Sequence, residues 1–140
     1  MMRPIQPGDI DNLKVQEAQL FYRDRVKETV DSGTLENTFA YIEHGEVKAC
    51  IGMLHVWEGR AIVWALIGDV SNWLKFHRTT KQLLEDYAER LDIIRLELTT
   101  EVGFVESERW AQMLGFRFES EMTNFAPDGK SHKMWVRLWQ

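Results

Sequence analysis

Residues 61–91 constrain the chain more than any other stretch. They read AIVWALIGDV, SNWLKFHRTT and KQLLEDYAERL: an apolar run, a polar and basic connection, and an amphipathic segment. Ala61 to Val70 is nearly unbroken apolar, with Ile62, Val63, Trp64, Leu66 and Ile67, as in a strand covered on both faces. Leu84, Tyr87, Ala88 and Leu91 recur at helical spacing with Leu83 alongside, and Glu85, Asp86, Glu89 and Arg90 form the wet face. Trp73, Phe76, Thr80, Leu84, Tyr87 and Leu91 also fit one continuous helix capped by Ser71. Ile93 to Thr100 (IIRLELTT) follows as a strand, with Ile94, Leu96 and Leu98 on one face and Arg95, Glu97 and Thr99 on the other. Strand, helix and strand at this spacing imply a parallel pair joined by a right-handed crossover.

The remaining segments build a sheet around that unit. Arg3 to Gln6 reads as a first strand (β1), closed by Pro7-Gly8, and Asp9 is a candidate N-cap. Ile10 to Val30 has a helical face of Val15, Ala18, Tyr22, Val26 and Val30, stopped by Asp31-Ser32-Gly33. Thr38–Glu43 (β2), Val47–Trp57 (β3) and Ala61–Val70 (β4) form an antiparallel meander through turns at 44–46 and 58–60. Ile93–Thr100 is then β5. Glu106–Leu114 is a short helix with Trp110, Met113 and Leu114 inward and Gly115 as its cap. Phe116 to about Phe125 (β6) and Ser131–Trp139 (β7) form a hairpin around Pro127-Asp128-Gly129-Lys130. The fold class is α/β (α+β): one domain over 1–140, with a mixed sheet of six to seven strands flanked by helices.

Charge and cysteine usage narrow the function. There are 22 acidic and 17 basic residues, a net charge of −5, which argues against a general nucleic-acid binder. Cys50 is the single cysteine, so no internal disulfide forms. Its apolar strand makes it an inert thiol in a reducing compartment. The opening MMRPIQPGDI lacks an apolar signal region, and no run reaches the roughly 20 apolar residues of a membrane span. The reading is cytoplasmic. Of the six tryptophans, those left exposed would mark a protein interface.

Four local signals go with this element order: Arg3-Pro4 followed by Asp9-Ile10, Cys50-Ile51-Gly52-Met53 on β3, the apolar β4, and Arg109-Trp110-Ala111-Gln112-Met113-Leu114-Gly115-Phe116. Together they resemble the GNAT superfamily, the Gcn5-related N-acetyltransferases, over essentially the whole chain. The resemblance implies that β4 and β5 splay and that acetyl-CoA lies between them. It implies a diphosphate held by backbone N–H groups at the start of the helix after β4, in a loop of the form Q/R-x-x-G-x-G/A. Anchored on Leu83-Leu84, the matching segment is Lys75-Phe76-His77-Arg78-Thr79-Thr80, with Arg78 and Thr80 at the glycine positions. The implied cofactor-binding set is Ile67, Lys75, His77, Arg78, Thr79, Thr80 and Lys81. Arg78 would meet phosphate through its side chain, helped by Lys75, His77 and Lys81. A helix beginning at Ser71 would instead consume the free N–H groups.

The resemblance also locates the chemistry. Ala111 stands where many members carry a tyrosine that protonates the leaving thiolate, and Phe104 stands where an asparagine is often found. The catalytic-base positions are Glu97 and Asp69, with Glu101 and His55 behind them. The plainer readings are that Glu97 pairs with Arg95 or a neighbour, Asp69 ends a strand and His55 faces solvent. The short length and glycine-poor basic connection also resemble a phage branch of the superfamily, internal virion protein A of T7-like podophages. Partners on these readings are acetyl-CoA with an amine acceptor, or, for a non-catalytic GNAT-fold protein in the virion or host cytoplasm, a protein partner or second copy. No specific nucleic acid and no membrane is expected.

Overall fold

β-branched and aromatic runs separated by glycine turns fold into seven strands. In the computed structural model, which describes residues 1–11, 13, 27–29, 31 and 36–139, they are β1 Met2–Pro4, β2 Thr38–Glu43, β3 Glu46–Trp57, β4 Arg60–Ile67, β5 Arg95–Glu101, β6 Arg117–Met122 and β7 His132–Leu138. They form one mixed sheet in the order β1-β2-β3-β4-β5-β7-β6. The β4–β5 pair is parallel, while β1–β2, β2–β3, β5–β7 and β6–β7 are antiparallel. A long helix, Trp73–Arg90, joins β4 to β5, and a short helix, Val105–Met113, joins β5 to β6. The mixed sheet, the parallel central pair and the C-terminal hairpin are those expected from the sequence.

Several boundaries differ from expectation for local reasons. β4 stops at Ile67 because Gly68, Asp69 and Val70 turn away, and its alternating burial is that of a strand half-covered on one face. The helix expected over Ile10–Val30 lies largely outside the described residues, as do Val15, Ala18, Tyr22, Val26 and Val30; residues 27–29 are helical. Among the described residues, Asp9 is held from behind. Its carboxylate accepts the Gln6 N–H at 2.7 Å and both arms of the Arg3 guanidinium at 2.8 and 2.9 Å. In the short helix Met113 is 51% exposed and Ala111 faces inward instead, because Ala111 lies one turn before the buried Leu114 and shares its face. Gly115, with φ +93, ends that helix. The Phe116 N–H returns to the Ala111 carbonyl at 3.0 Å, the backbone closure that a left-handed residue makes possible.

The described residues divide into two bodies, 1–54 with 64–80 and 55–63 with 81–140. In the first, Ile10, Leu13, Cys50 and Leu66 form a cluster against which Ile5, Val47 and Trp64 pack. Tyr41 and Phe76 meet with ring centroids 4.8 Å apart, joining β2 to the first turn of the long helix. Burial pushes the Cys50 thiol up to about 12, so it is the inert side chain anticipated. In the second body Leu84, Tyr87, Leu96, Leu114 and Val136 are fully buried, and the Trp135 indole donates to Thr100 Oγ1 at 2.9 Å.

Gly52 shows how tightly the first body is packed. A Cβ there would lie 2.2 Å from the Trp64 ring, so β3 carries glycine to admit the indole across the pleat. Gly52→Ala should therefore lower the free energy of unfolding by about 3 kcal/mol through overpacking. Urea denaturation measures this, and a variant within about 0.5 kcal/mol of wild type would show that the indole is not wedged there.

Candidate functional site

Within the first body, the site is built on the connection from β4 to the long helix. The Gly68 N–H donates to the Lys48 carbonyl at 2.8 Å, and the Val70 N–H turns back to the Gly68 carbonyl at 3.0 Å. The next two N–H groups, of Ser71 and Asn72, donate to Glu43 Oε1 and Oε2 at 2.8 and 2.9 Å. Asn72 Oδ1 accepts the Lys75 N–H at 3.1 Å, and the Asn72 carbonyl accepts the Phe76 N–H at 3.1 Å. The helix cap is thus Asn72, one residue later than expected; its side chain reaches the third helical N–H as a preferred cap does.

Glu43 is the last residue of β2 and only 8% exposed. Burial alone would raise its carboxyl. The Ser71 and Asn72 donors, with His44 and Lys48 nearby, outweigh burial and hold it below the ordinary glutamate value. The Glu43 contacts span 28 and 29 residues, so no local sequence pattern announces them. Asn72, by contrast, carried the signal: it is a strong N-cap type immediately before the apolar period.

The expected phosphate loop is helix. Lys75, His77, Arg78, Thr79, Thr80 and Lys81 all lie within Trp73–Arg90, as the continuous apolar spacing from Trp73 required. Lys75 and Arg78 are exposed and Thr79 and Lys81 half-buried. His77 and Thr80 turn inward, and the Thr80 hydroxyl has no hydrogen-bond partner. Lys75 and Arg78 are i, i+3 neighbours and make a cationic pair within the first body, while Lys81 belongs to the second. The first turn holds no acidic residue, and Lys75 sits in it at the positive end of the helix dipole. Ile67 is buried at the end of β4, and Asp69 is exposed on the connection.

The second body holds the other sequence-derived positions. The expected splay of β4 and β5 takes the form of a three-pair parallel ladder, Arg60↔Arg95, Ala61↔Leu96 and Ile62↔Glu97. Glu97, 3% exposed, accepts Arg60 Nε and Arg95 Nε at 2.6 Å each and Arg60 Nη2 at 2.9 Å. Arg95 also makes two bonds to Glu119, at 2.6 and 2.8 Å. Arg60, and then Arg95, hold the Glu97 carboxyl below the usual range against its burial, which makes it a weak proton acceptor. This is the ion-paired role foreseen for it. His55 is exposed, and Glu101 lies 3.1 Å from Lys130. Ala111 is 1% exposed and carries no proton, and Phe104 precedes the short helix without a side-chain cap. Beside Glu97 an open groove of about 440 Å3 is lined by Trp57, Glu58, Gly59, Arg60, Ile94 and Arg95. The Arg60 guanidinium lies 4.6 Å from the centroid of the Trp57 ring, which is 61% exposed.

No family model matches the sequence, and no curated protein is similar to it. Its fold is that of solved acetyltransferases. A GNAT-family acetyltransferase from Bacillus anthracis superposes with TM-score 0.77 at 12% identity, over 98% of this chain and 93% of that one. Ard1 from Thermoplasma volcanium gives 0.75 at 15% identity, over 100% and 97%. The ribosomal-protein-S5-alanine acetyltransferase from Vibrio fischeri gives 0.71 at 12% identity, over 98% and 91%. The architecture is the GNAT fold, shared here without close sequence similarity.

Glu43, Glu97 and Glu119 all have lowered carboxyl pKa values, so each binds its proton less readily folded than unfolded. Stability from these groups is present above about pH 4.5, the ordinary glutamate value, and is lost as pH falls through their depressed folded values. Glu97→Gln should cost about 2 kcal/mol at pH 7, since it leaves two guanidinium groups without their shared anion. It should also flatten the acid limb. Urea denaturation between pH 7 and pH 3 reads both effects; an unchanged profile would mean the arginines are solvated rather than bridged.

Proposed function

We propose that this chain is a phage-encoded, GNAT-fold acetyltransferase-like protein that moves an acetyl group from acetyl-CoA to an amine. The observation that carries the reading is the parallel β4–β5 ladder, only three pairs long inside this strand order. The acetyltransferases that share the fold support it.

The residues fit the donor substrate in part. The backbone N–H groups ahead of the long helix do not fit a diphosphate, because Glu43 and Asn72 already use them. The exposed Lys75 and Arg78 do fit: an ammonium and a guanidinium group meet phosphate from the side of the helix. Thr79 offers a hydroxyl, while Ile67, buried at the end of β4, and His77 and Thr80 supply packing behind the helix. When bound, acetyl-CoA supplies an acetyl group activated as a thioester. Asp69 is the proposed base that takes the proton of the attacking amine, since Glu97 is already held by two arginines. Ala111 offers no acid, so the departing thiolate draws its proton from water. The proposed setting is the host cytoplasm or the virion; among the described residues no helix is long and apolar enough to cross a membrane.

A second reading, a non-catalytic GNAT-fold protein that binds another protein or a second copy, is favoured by one feature. The groove beside Glu97 exposes Trp57 and Ile94, large apolar side chains of the kind that anchor interfaces.

Isothermal titration separates the two. On the first reading acetyl-CoA binds, Arg78→Glu weakens it about tenfold by reversing a phosphate-facing charge, and Asp69→Asn abolishes turnover while binding persists. Folded protein that gives no heat at millimolar acetyl-CoA would remove the enzyme reading and leave the second.

A further inference from the structure

We infer that Glu43 is a built-in occupant of the anion seat ahead of the long helix, and that it shuts this seat to phosphate groups. Two successive backbone N–H groups pointing one way, at the positive end of an 18-residue helix, are the donors an external anion would take. Here both are engaged by one carboxylate, one oxygen to each, at 2.8 and 2.9 Å. The carboxylate is nine-tenths buried. Its strand ends in a turn whose two residues, His44 and Gly45, have φ of 52 and 79, so the Glu43 backbone is fixed by the hairpin.

The surrounding charges show why the chain supplies an anion of its own. Trp73–Arg90 has no acidic residue in its first turn but carries Lys75 and Arg78 close to its start. Donors, dipole and cations all attract negative charge, and Glu43 satisfies them from within. A phosphate entering the seat must break two charge-assisted bonds and leave a carboxylate buried without its donors. Gln at this position keeps the shape but not the charge. Its carbonyl accepts one N–H, while its amide group faces the other donor.

Naming the excluded group as the acetyl-CoA diphosphate rests on the acetyltransferase reading; the occupied seat does not. The test is therefore made with inorganic diphosphate, by following the Ser71 and Asn72 amide resonances in the full chain. In wild type their shifts should be small, from diphosphate meeting the nearby Lys75 and Arg78 side chains alone, and in Glu43→Gln they should become several times larger and saturate with affinity at least tenfold tighter. Should the Gln variant fail to fold, Glu43→Asp, one methylene short of the donors, should give the same response more weakly. Wild-type shifts as large and as tight as those of the variant, or a folded variant that responds no more than wild type, would overturn the inference. Acetyl-CoA that fails to bind wild type, beside a variant that does respond to diphosphate, would sink the acetyltransferase reading alone.

Discussion

A helix cannot begin without satisfying the N–H groups that have no carbonyl behind them. In this chain Glu43 and Asn72 meet part of that requirement, and much of the first body follows from it. Glu43 takes the two donors ahead of the helix, and Asn72 takes the third N–H of the first turn with its side chain. With those donors used, the helix starts at Trp73, and Phe76 is carried inward onto Tyr41. The same start puts Lys75 and Arg78 outside, because Phe76, His77 and Thr80 take the inward positions. One long-range carboxylate thus decides which side chains of the connection remain available to a ligand.

The second body solves a different problem, a carboxylate inside a sheet. Glu97 sits on β5 opposite Val136, and its neighbours Arg60 and Arg95 face each other across the parallel ladder. Two guanidinium groups that close would repel, and a buried carboxylate alone would be driven neutral. Together they form one array, extended by Glu119, in which each charge has a partner. Arg60 also lies over the exposed Trp57 ring, so the array carries an aromatic at its margin. Glu97 was a candidate base by its place in the resemblance; the arginines beside it hold its proton affinity down.

Much of the architecture was legible because it is written in short periods. The alternation of β2, the His44-Gly45 turn, the Trp73–Leu91 spacing and the Gly115 closure are local, and each appears in the structure. The inward face of the short helix was misread only at Met113: Ala111 and Leu114, one turn apart, share the buried face, and Met113 lies about 100° away from Leu114. The site was less legible for a different reason. Glu43 acts over a separation of 28 residues, and nothing around it distinguishes it from any strand-end glutamate. The phosphate segment, conversely, was over-read from family likeness. Its own apolar spacing already specified a helix, and where template and periodicity disagreed, periodicity described the backbone.

That disagreement bears on how fold relates to activity. The strand order and the short parallel ladder are properties of the whole sheet, and they persist at 12–15% identity to acetyltransferases. The grip on a diphosphate is a property of a few N–H groups, and a single carboxylate on β2 is enough to redirect them. A scaffold can therefore share the frame of enzymes while backbone donors ahead of its helix belong to its own packing. Side chains then carry whatever binding remains. Lys75 and Arg78 can follow a phosphate that moves, but they lose more rotamer freedom on binding than fixed amides do. On the acetyltransferase reading, the donor substrate would be held more loosely and released more readily than by a backbone cradle.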